Sequence, residues 1–215
     1  MITLAAAGGV EYGLVEEADF EAMADLLADA FSRHEPPAVA VGMTASEIKV
    51  LVSLFGPKAL AERLAVIARE PSTGDVVGAL LVEDFGTPAP EGIEETVPAF
   101  APIGALLDGL DRRYRESRAI AEGSHLHLFM LAVADRATGR GIAHRLVETG
   151  LAHGKQRGYG FAVTEATGRI SQHVFRKSGF REVLSAPYQT FLHDGIAVFS
   201  SIVGHEATLL MEREL

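Results

Sequence analysis

The sequence predicts a single mixed α/β domain over residues 1–215, and three observations carry that prediction. Runs rich in β-branched and apolar residues alternate along the chain with segments whose apolar residues recur at helical spacing. No repeat, low-complexity tract or linker divides them, and 215 residues suit one full core. The elements read in the order β-α-α-β-β-α-β-α-β-α-β-β, so helices and strands build one sandwich of layers instead of segregating.

Val10 to Val15 is the first strand, and the nine residues before it are either loose or ordered, which the sequence leaves open. Glu16-Glu17-Ala18-Asp19 puts acidic residues at the positive end of a helix that runs to about Phe31. Phe20, Met23, Leu26, Leu27, Ala30 and Phe31 are its apolar stripe. Pro36-Pro37 should stop it, leaving Ser32 to Glu35 at its end or in the loop beyond. A second helix begins at Thr44 or Ser46, with Ser46 as a plausible cap, and runs through Leu54. Gly56-Pro57 should break it, with Lys58 to about Leu64 adding another turn or two. Ala65 to Arg69 and Val76 to Phe85, joined by Pro71-Ser72-Thr73-Gly74-Asp75, read as a hairpin. Gly86 to Pro98 reads as a long loop, either a lid or a plain connection. Ala99 to Ile120 reads as an amphipathic helix carrying Ile103, Leu106, Leu107, Leu110 and Tyr114.

The most informative stretch is Leu126 to Leu151. It opens as an apolar strand to Val133 and ends in a helix whose apolar face is Ile142, Ala143, Leu146, Val147, Gly150 and Leu151. Between them lies Thr138-Gly139-Arg140-Gly141-Ile142-Ala143. A strand that turns through glycines into a helix offers free backbone N–H groups at the positive end of a helix dipole, which is a phosphate cradle. The Gly-Lys-Ser/Thr of a nucleoside triphosphatase and the third glycine of a dinucleotide fold are both absent. The plainer reading is a glycine turn that binds nothing. Phe161 to Thr167 is the next strand, Ser171 to Lys177 a helix, Gly179-Phe180 opens another strand, and Ala207 to Arg213 is the last.

Composition bounds the function. The chain has no Cys, which excludes disulfides, thiolate metal sites and a cysteine acyl-enzyme. A net charge of −10 disfavours nucleic acid and favours the approach of a cationic substrate. No stretch is long and apolar enough to span a bilayer, and MITLAAAGGVEYG lacks a basic signal-peptide region, so a cytoplasmic protein without a membrane partner is expected. His125 and His127 have no carboxylate close in sequence, so no metal site is expected.

The Thr138 to Ala143 loop resembles the acetyl-CoA loop of the GNAT N-acetyltransferases, Arg/Gln-x-x-Gly-x-Gly/Ala. Gly141 and Ala143 match its small positions, while Thr138 stands where the family has Arg or Gln. A register starting at Arg136 fits literally but crowds the strand end. Ser171 to Phe180 is similar to the helix after that family's fifth strand, which ends in Gly-Phe. The resemblance implies a mixed, mostly antiparallel sheet splayed at the acetyl-CoA site. It also implies cofactor contacts from Leu131, Ala132, Val133, Thr138, Gly139, Arg140, Gly141, Ile142, Ala143, Ser171, Phe175 and Arg176.

Within that family the chain looks most like the arylalkylamine N-acetyltransferases. Phe31-Ser32-Arg33-His34-Glu35-Pro36-Pro37 is similar to their Phe-x-x-(Asp/His)-Glu-Pro segment, whose Glu is taken as the general base. Thr167 and Ser171 resemble their two hydroxyl residues four apart, and Tyr188, Asp194-Gly195, Phe199 and His205 follow the insect-type pattern in order. His127 resembles a histidine of the vertebrate enzymes that helps carry protons away.

The chemistry explains such residues. An alkylammonium has a pKa near 10, so only roughly one molecule in a thousand is neutral at pH 7. A carboxylate in an apolar pocket has its pKa raised into the useful range, and Glu35 is the candidate, although beside two prolines a plain solvated carboxylate is the alternative. A backbone N–H near Val133 would steady charge on the acetyl oxygen. Many relatives protonate the thiolate with a Tyr where this chain has Phe175, so Ser171 and Thr167 are the nearest hydroxyls, or helix caps. His127 should share a strand face with His125, Phe129 and Leu131, either as a proton relay or as a buried histidine bonded to a neighbouring strand. The expected function is direct acetyl transfer from acetyl-CoA to a small cationic amine, arylalkylamine-like or polyamine-like. An aminoglycoside, an amino acid or a protein N-terminus is an alternative acceptor, and a non-catalytic acyl-CoA sensor is an alternative class. A homodimer is common among such relatives.

Overall fold

In the computed structural model, which describes residues 1–215, the chain opens with β1 (Ile2–Ala7), β2 (Val10–Leu14), α1 (Glu17–His34), α2 (Pro36–Val41) and α3 (Ala45–Glu62). It continues through β3 (Val66–Arg69), β4 (Val76–Asp84), α4 (Ile93–Thr96), α5 (Ala101–Arg115) and β5 (His125–Val133). The last elements are α6 (Ile142–Gln156), β6 (Phe161–Ala166), α7 (Arg169–Lys177), β7 (Arg181–Pro187) and β8 (Ala207–Glu214). All eight strands join one sheet in the order β1-β2-β3-β4-β5-β6-β8-β7. Every neighbouring pair is antiparallel except β5 with β6.

Apolar faces cover the sheet on both sides. Met23 and Leu27 of α1 and Ile48, Leu51 and Phe55 of α3 pack with Ala79, Leu81, Met130 and Ala132 on one face. Leu146, Val147 and Leu151 of α6 and Phe175 of α7 pack with Val66, Leu80, Leu126 and Leu128 on the other. No helix is long and apolar enough to cross a membrane.

The first nine residues, left open by the sequence, are ordered: Ile2 pairs with Leu14 and Ala7 with Val10, and Gly8-Gly9, both at positive φ, make the tight turn between. Several expectations change. Pro36-Pro37 ends α1 but also starts α2, because a proline in a first helical turn sacrifices only a donor that has no partner there. Gly56-Pro57 does not break α3, since Phe55 and Ala59 on either side are buried in the core and their burial offsets the lost bond. Its cap is Thr44, not Ser46: Thr44 Oγ1 accepts the Glu47 N–H at 3.2 Å while Glu47 accepts from the Thr44 N–H at 2.8 Å. The 86–98 loop contains the short α4, and α5 stops at Arg115.

Two irregularities shape the middle of the sheet. Leu81 pairs with Met130 but Val82 with Leu128, so Phe129 is an extra residue, a β-bulge. The bulge inverts the alternation, so that Leu126 and Leu128 face α6 whereas Met130 and Ala132 face α1 and α3. Leu131 therefore does not share the face of His127, contrary to the period of two. The second irregularity is the parallel pair itself. β5 and β6 are in register only from His125 with Phe161 to His127 with Val163, after which β6 follows β8 alone. The Thr164 hydroxyl donates to Leu128 O at 2.8 Å at the point of divergence.

Candidate active site

A cleft occupies the opening between β5 and β6. Leu128, Phe129, Met130 and Leu131 line it from β5, Thr164 and Glu165 from β6, Phe31 from the end of α1, and Ile48 and Leu51 from α3. Phe100, Ile103 and Leu107 add a further apolar wall. Few polar side chains enter, and Glu35, Thr167 and Ser171 are three of them, which matches a pocket that grips an apolar body and fixes it with a few polar groups.

Glu35 is positioned by two helices. Its backbone N–H donates to Phe31 O at 3.1 Å, closing α1, and its side chain accepts the Ala38 N–H, opening α2. Burial pushes the carboxyl up to about 7, against the opposing pull of the Ala38 N–H and the Thr167 hydroxyl. Thr167 is pinned in turn, since its carbonyl accepts the hydroxyl of the buried Tyr188 at 2.6 Å, and Tyr188 accepts from Thr208 at 3.0 Å. Ser171 caps α7: its hydroxyl donates to Gly168 O at 2.9 Å and accepts the Gly168 N–H at 3.2 Å. Phe175 lines the cleft and packs edge-on against Phe180.

The Thr138 to Ala143 turn enters α6 through two glycines and leaves its backbone N–H groups open from Gly139 on. Gly139 and Gly141 lie at φ 76° and 75°, and Gly141 caps α6. From Gly139 to His144 no backbone N–H has an acceptor within the protein, and a Cβ at either glycine would meet nothing within 4 Å. The buried Ile142 anchors the turn to the core, Ala143 is half-buried, and the Thr138 hydroxyl is spent on Asp135 O at 2.9 Å. These residues fit a pyrophosphate through the backbone. Arg140 does not reach over the cradle. It pairs with Glu70, which also holds Arg136 at 2.7 Å, and the two guanidiniums keep the Glu70 carboxyl below its ordinary range. Arg176 is likewise engaged by Glu182 on the exposed side of α7, away from the cleft.

Ala132 is buried in the core behind β5, so only its backbone is free to meet a ligand. The Ala134 N–H donates to Val77 O on β4, so alternation turns the N–H of Val133 to the opposite edge, where β6 has peeled away.

His127 does not line the cleft. Its Nδ1 lies 2.8 Å from Glu83 Oε1 on β4 and its Nε2 lies 2.6 Å from Glu165 Oε2 on β6. Burial opposes the charged ring, but Glu165 and Glu83 outweigh it and hold the imidazolium well above its ordinary pKa. Lys58 Nζ sits 2.5 Å from Glu83 Oε2 and completes the row.

A family model described as the acetyltransferase (GNAT) family matches residues 65–180, which contain the cradle, the divergent strands and α7. The chain belongs to the GNAT acetyltransferase family. Its fold is also that of several solved structures. The C-terminal condensation domain of Ebony, solved in complex with beta-alanyl-dopamine, superposes with a TM-score of 0.87 at 14% identity, covering 96% of this chain and 99% of that one. Arylalkylamine N-acetyltransferase 2 from Aedes aegypti gives 0.80 at 21%, covering 96% and 99%. A polyamine N-acetyltransferase from Drosophila melanogaster, which forms N-acetylagmatine, gives 0.75 at 20%, covering 96% and 100%.

For a GNAT protein this site holds more carboxylates than its motifs announce. Glu83, Glu165 and Asp111 carry no local signature, and Glu83 and Glu165 lie 44 and 38 residues from His127 along the chain. One signal was available for two of them. Glu83 and Glu165 each interrupt an apolar strand at an inward position, where a charged residue calls for a partner.

Proposed function

We propose that this GNAT acetyltransferase moves the acetyl group of acetyl-CoA directly onto the primary amine of a small cationic, arylalkylamine-like acceptor, with Glu35 as general base. The observation that carries this reading is Glu35 itself, a carboxyl in an apolar cleft whose pKa is pushed up to about 7, beside Thr167 and Ser171.

Acetyl-CoA, when bound, supplies an acyl carbon activated as a thioester. The backbone of Gly139 to His144 would hold its pyrophosphate, and the free edge of β5 at Leu131 and Val133 its pantetheine arm. Phe31, Phe100 and Phe129 bind the apolar body of the amine and exclude water. Glu35 takes a proton from the ammonium nitrogen and leaves it a lone pair, a transfer that a base near pKa 7 performs at neutral pH. Thr167 holds Glu35 in place. The Val133 N–H stands where it can steady an oxyanion. Ser171 brings a hydroxyl one turn before Phe175, and its proton, now on Gly168 O, must swing free to be given away. His127 acts one step back, by fixing Glu165.

The absence of Cys supports direct transfer and suits a cytoplasmic setting. The test is release of CoA thiol from acetyl-CoA, scanned over arylalkylamines, polyamines, aminoglycosides and amino acids, with Glu35→Gln in parallel. Turnover that favours arylalkylamines and collapses in the variant supports the proposal. Turnover indifferent to Glu35 removes the base, and bound CoA without turnover indicates a sensor.

A further inference from the structure

One charged side chain of the cleft, held by His127, has no contact assigned to it with the acceptor. Glu165 lines the cleft with a side chain only 3% exposed, and one of its oxygens is committed to His127. The other, Oε1, is buried, and the group that faces Glu165 besides His127 is the Asp111 carboxyl. Asp111 of α5, one turn beyond Leu107 in the cleft wall, has a buried Oδ1 and lies within hydrogen-bonding reach of Glu165. Folded proteins seldom leave buried carboxyl oxygens without donors, so each such oxygen calls for a reason.

The surrounding charges supply one. Glu83 on β4 and Glu165 on β6 flank His127 on β5, Lys58 on α3 pairs with Glu83, and Glu62 approaches Lys58 at 3.8 Å. Asp108 and Arg115 of α5 act on the same carboxyls from further off. Among the groups in direct contact, Glu83, Glu165 and Asp111 are three carboxyls against two cations, Lys58 and His127. The cluster is one positive charge short. In the absence of a guest a proton makes up the difference, because burial and then the Glu165 charge raise the Asp111 carboxyl well above its ordinary range.

We propose that Glu165 and Asp111 form a second anionic subsite in the cleft, which takes the far ammonium or guanidinium of an acceptor carrying two positive charges. This rests on the acceptor reading given for Glu35. The far cation donates to Glu165 Oε1 and Asp111 Oδ1 and displaces the Asp111 proton to solvent, so one charge enters as one leaves. Phe31, Phe129 and Leu107 hold the apolar spacer between the two cationic ends. A monoamine leaves the proton where it is and makes no such bonds. Charge-assisted bonds of this kind correspond to roughly tenfold in affinity or more.

The experiment is calorimetric titration of the CoA-saturated full chain with cadaverine and with pentylamine, its monoamine counterpart, in two buffers of different ionisation enthalpy. Any proton lost from Glu35 is common to both amines and cancels in the comparison. Cadaverine should bind about tenfold tighter and release one additional proton. In Asp111→Asn, whose amide still donates to Glu165 but has no proton to surrender, the affinity ratio should fall toward one and the additional proton should vanish. Equal affinity for the two amines in the wild type, or an unchanged ratio and proton count in Asp111→Asn, would overturn the subsite. Failure of the acetyl-transfer reading looks different: CoA thiol is not released from acetyl-CoA with any amine, while the binding difference persists.

Discussion

The carboxylate of Glu35 accepts a hydrogen bond from the backbone N–H of Ala38, one turn into the helix that Glu35 itself begins. The same side chain thus caps α2 and faces the cleft. In Glu35→Gln the amide oxygen can still accept from Ala38, so the fold should stay and the base should go. We expect kcat to fall by about two to four orders of magnitude. In the wild type, log kcat/KM should lose activity below a break near pH 7, where the carboxyl becomes protonated, and that break should be missing from the variant's profile.

Stability should move the other way. The folded pKa of Glu35 lies above its unfolded value, so the native state is weakened as pH rises from the unfolded carboxyl range through about 7. Denaturant melts above pH 7 should find Glu35→Gln more stable than the wild type; equal or lower stability there would mean that the carboxylate is well solvated.

Removing His127 should be expensive. His127→Ala leaves Glu83 and Glu165 facing one another without the imidazolium between them, a loss of about 3–5 kcal/mol. The histidine's contribution is complete below its unfolded pKa and fades as pH rises through its raised folded value. The two lowered carboxyls contribute above their unfolded pKa and fade as pH falls through their folded values. Chemical denaturation across pH should therefore show a wild-type plateau between these limits that the variant lacks.

The cradle can be tested separately from the chemistry. Gly141 holds a positive φ at the entry to α6, and Gly141→Val forces a β-branched residue into that conformation at a cost of about 1–2 kcal/mol. Because the unpaired N–H groups depend on this turn, the dissociation constant for CoA should rise at least about tenfold by calorimetry. An unchanged constant would remove the loop from the cofactor site.

Ser171→Ala removes a hydroxyl that bonds the Gly168 backbone twice, and should lower stability by about 1 kcal/mol. If capping is its whole role, kcat measured well below the melting temperature stays at the wild-type value. A fall of about tenfold in kcat with unchanged KM for acetyl-CoA would support proton donation.

What the sequence disclosed was local. The cradle, the Glu35-Pro36 corner and the Gly179-Phe180 helix stop each fit within a few residues, where backbone preference and capping decide the outcome. Hidden from it were features that depend on distant neighbours. β1 is a strand because β2 pairs with it, and α3 survives Pro57 because the core holds Phe55 and Ala59. His127 has no acidic neighbour in sequence, yet three strands deliver it to two carboxylates. The bulge at Phe129 leaves no compositional trace either, since every residue from Leu128 to Leu131 is apolar.

That bulge makes β5 behave like a text with a shifted reading frame. Upstream of Phe129 the odd-numbered residues face one layer, and downstream the even-numbered ones do. Deleting Phe129 would restore the period of two and leave His127, Met130 and Ala132 in their present layer; what it would remove is the Phe129 ring from the cleft. Length can drift in the 86–98 connection without touching the sheet. Elsewhere in β5 length is fixed by parity, so a single insertion or deletion outside the bulge turns the residues beyond it to the opposite layer.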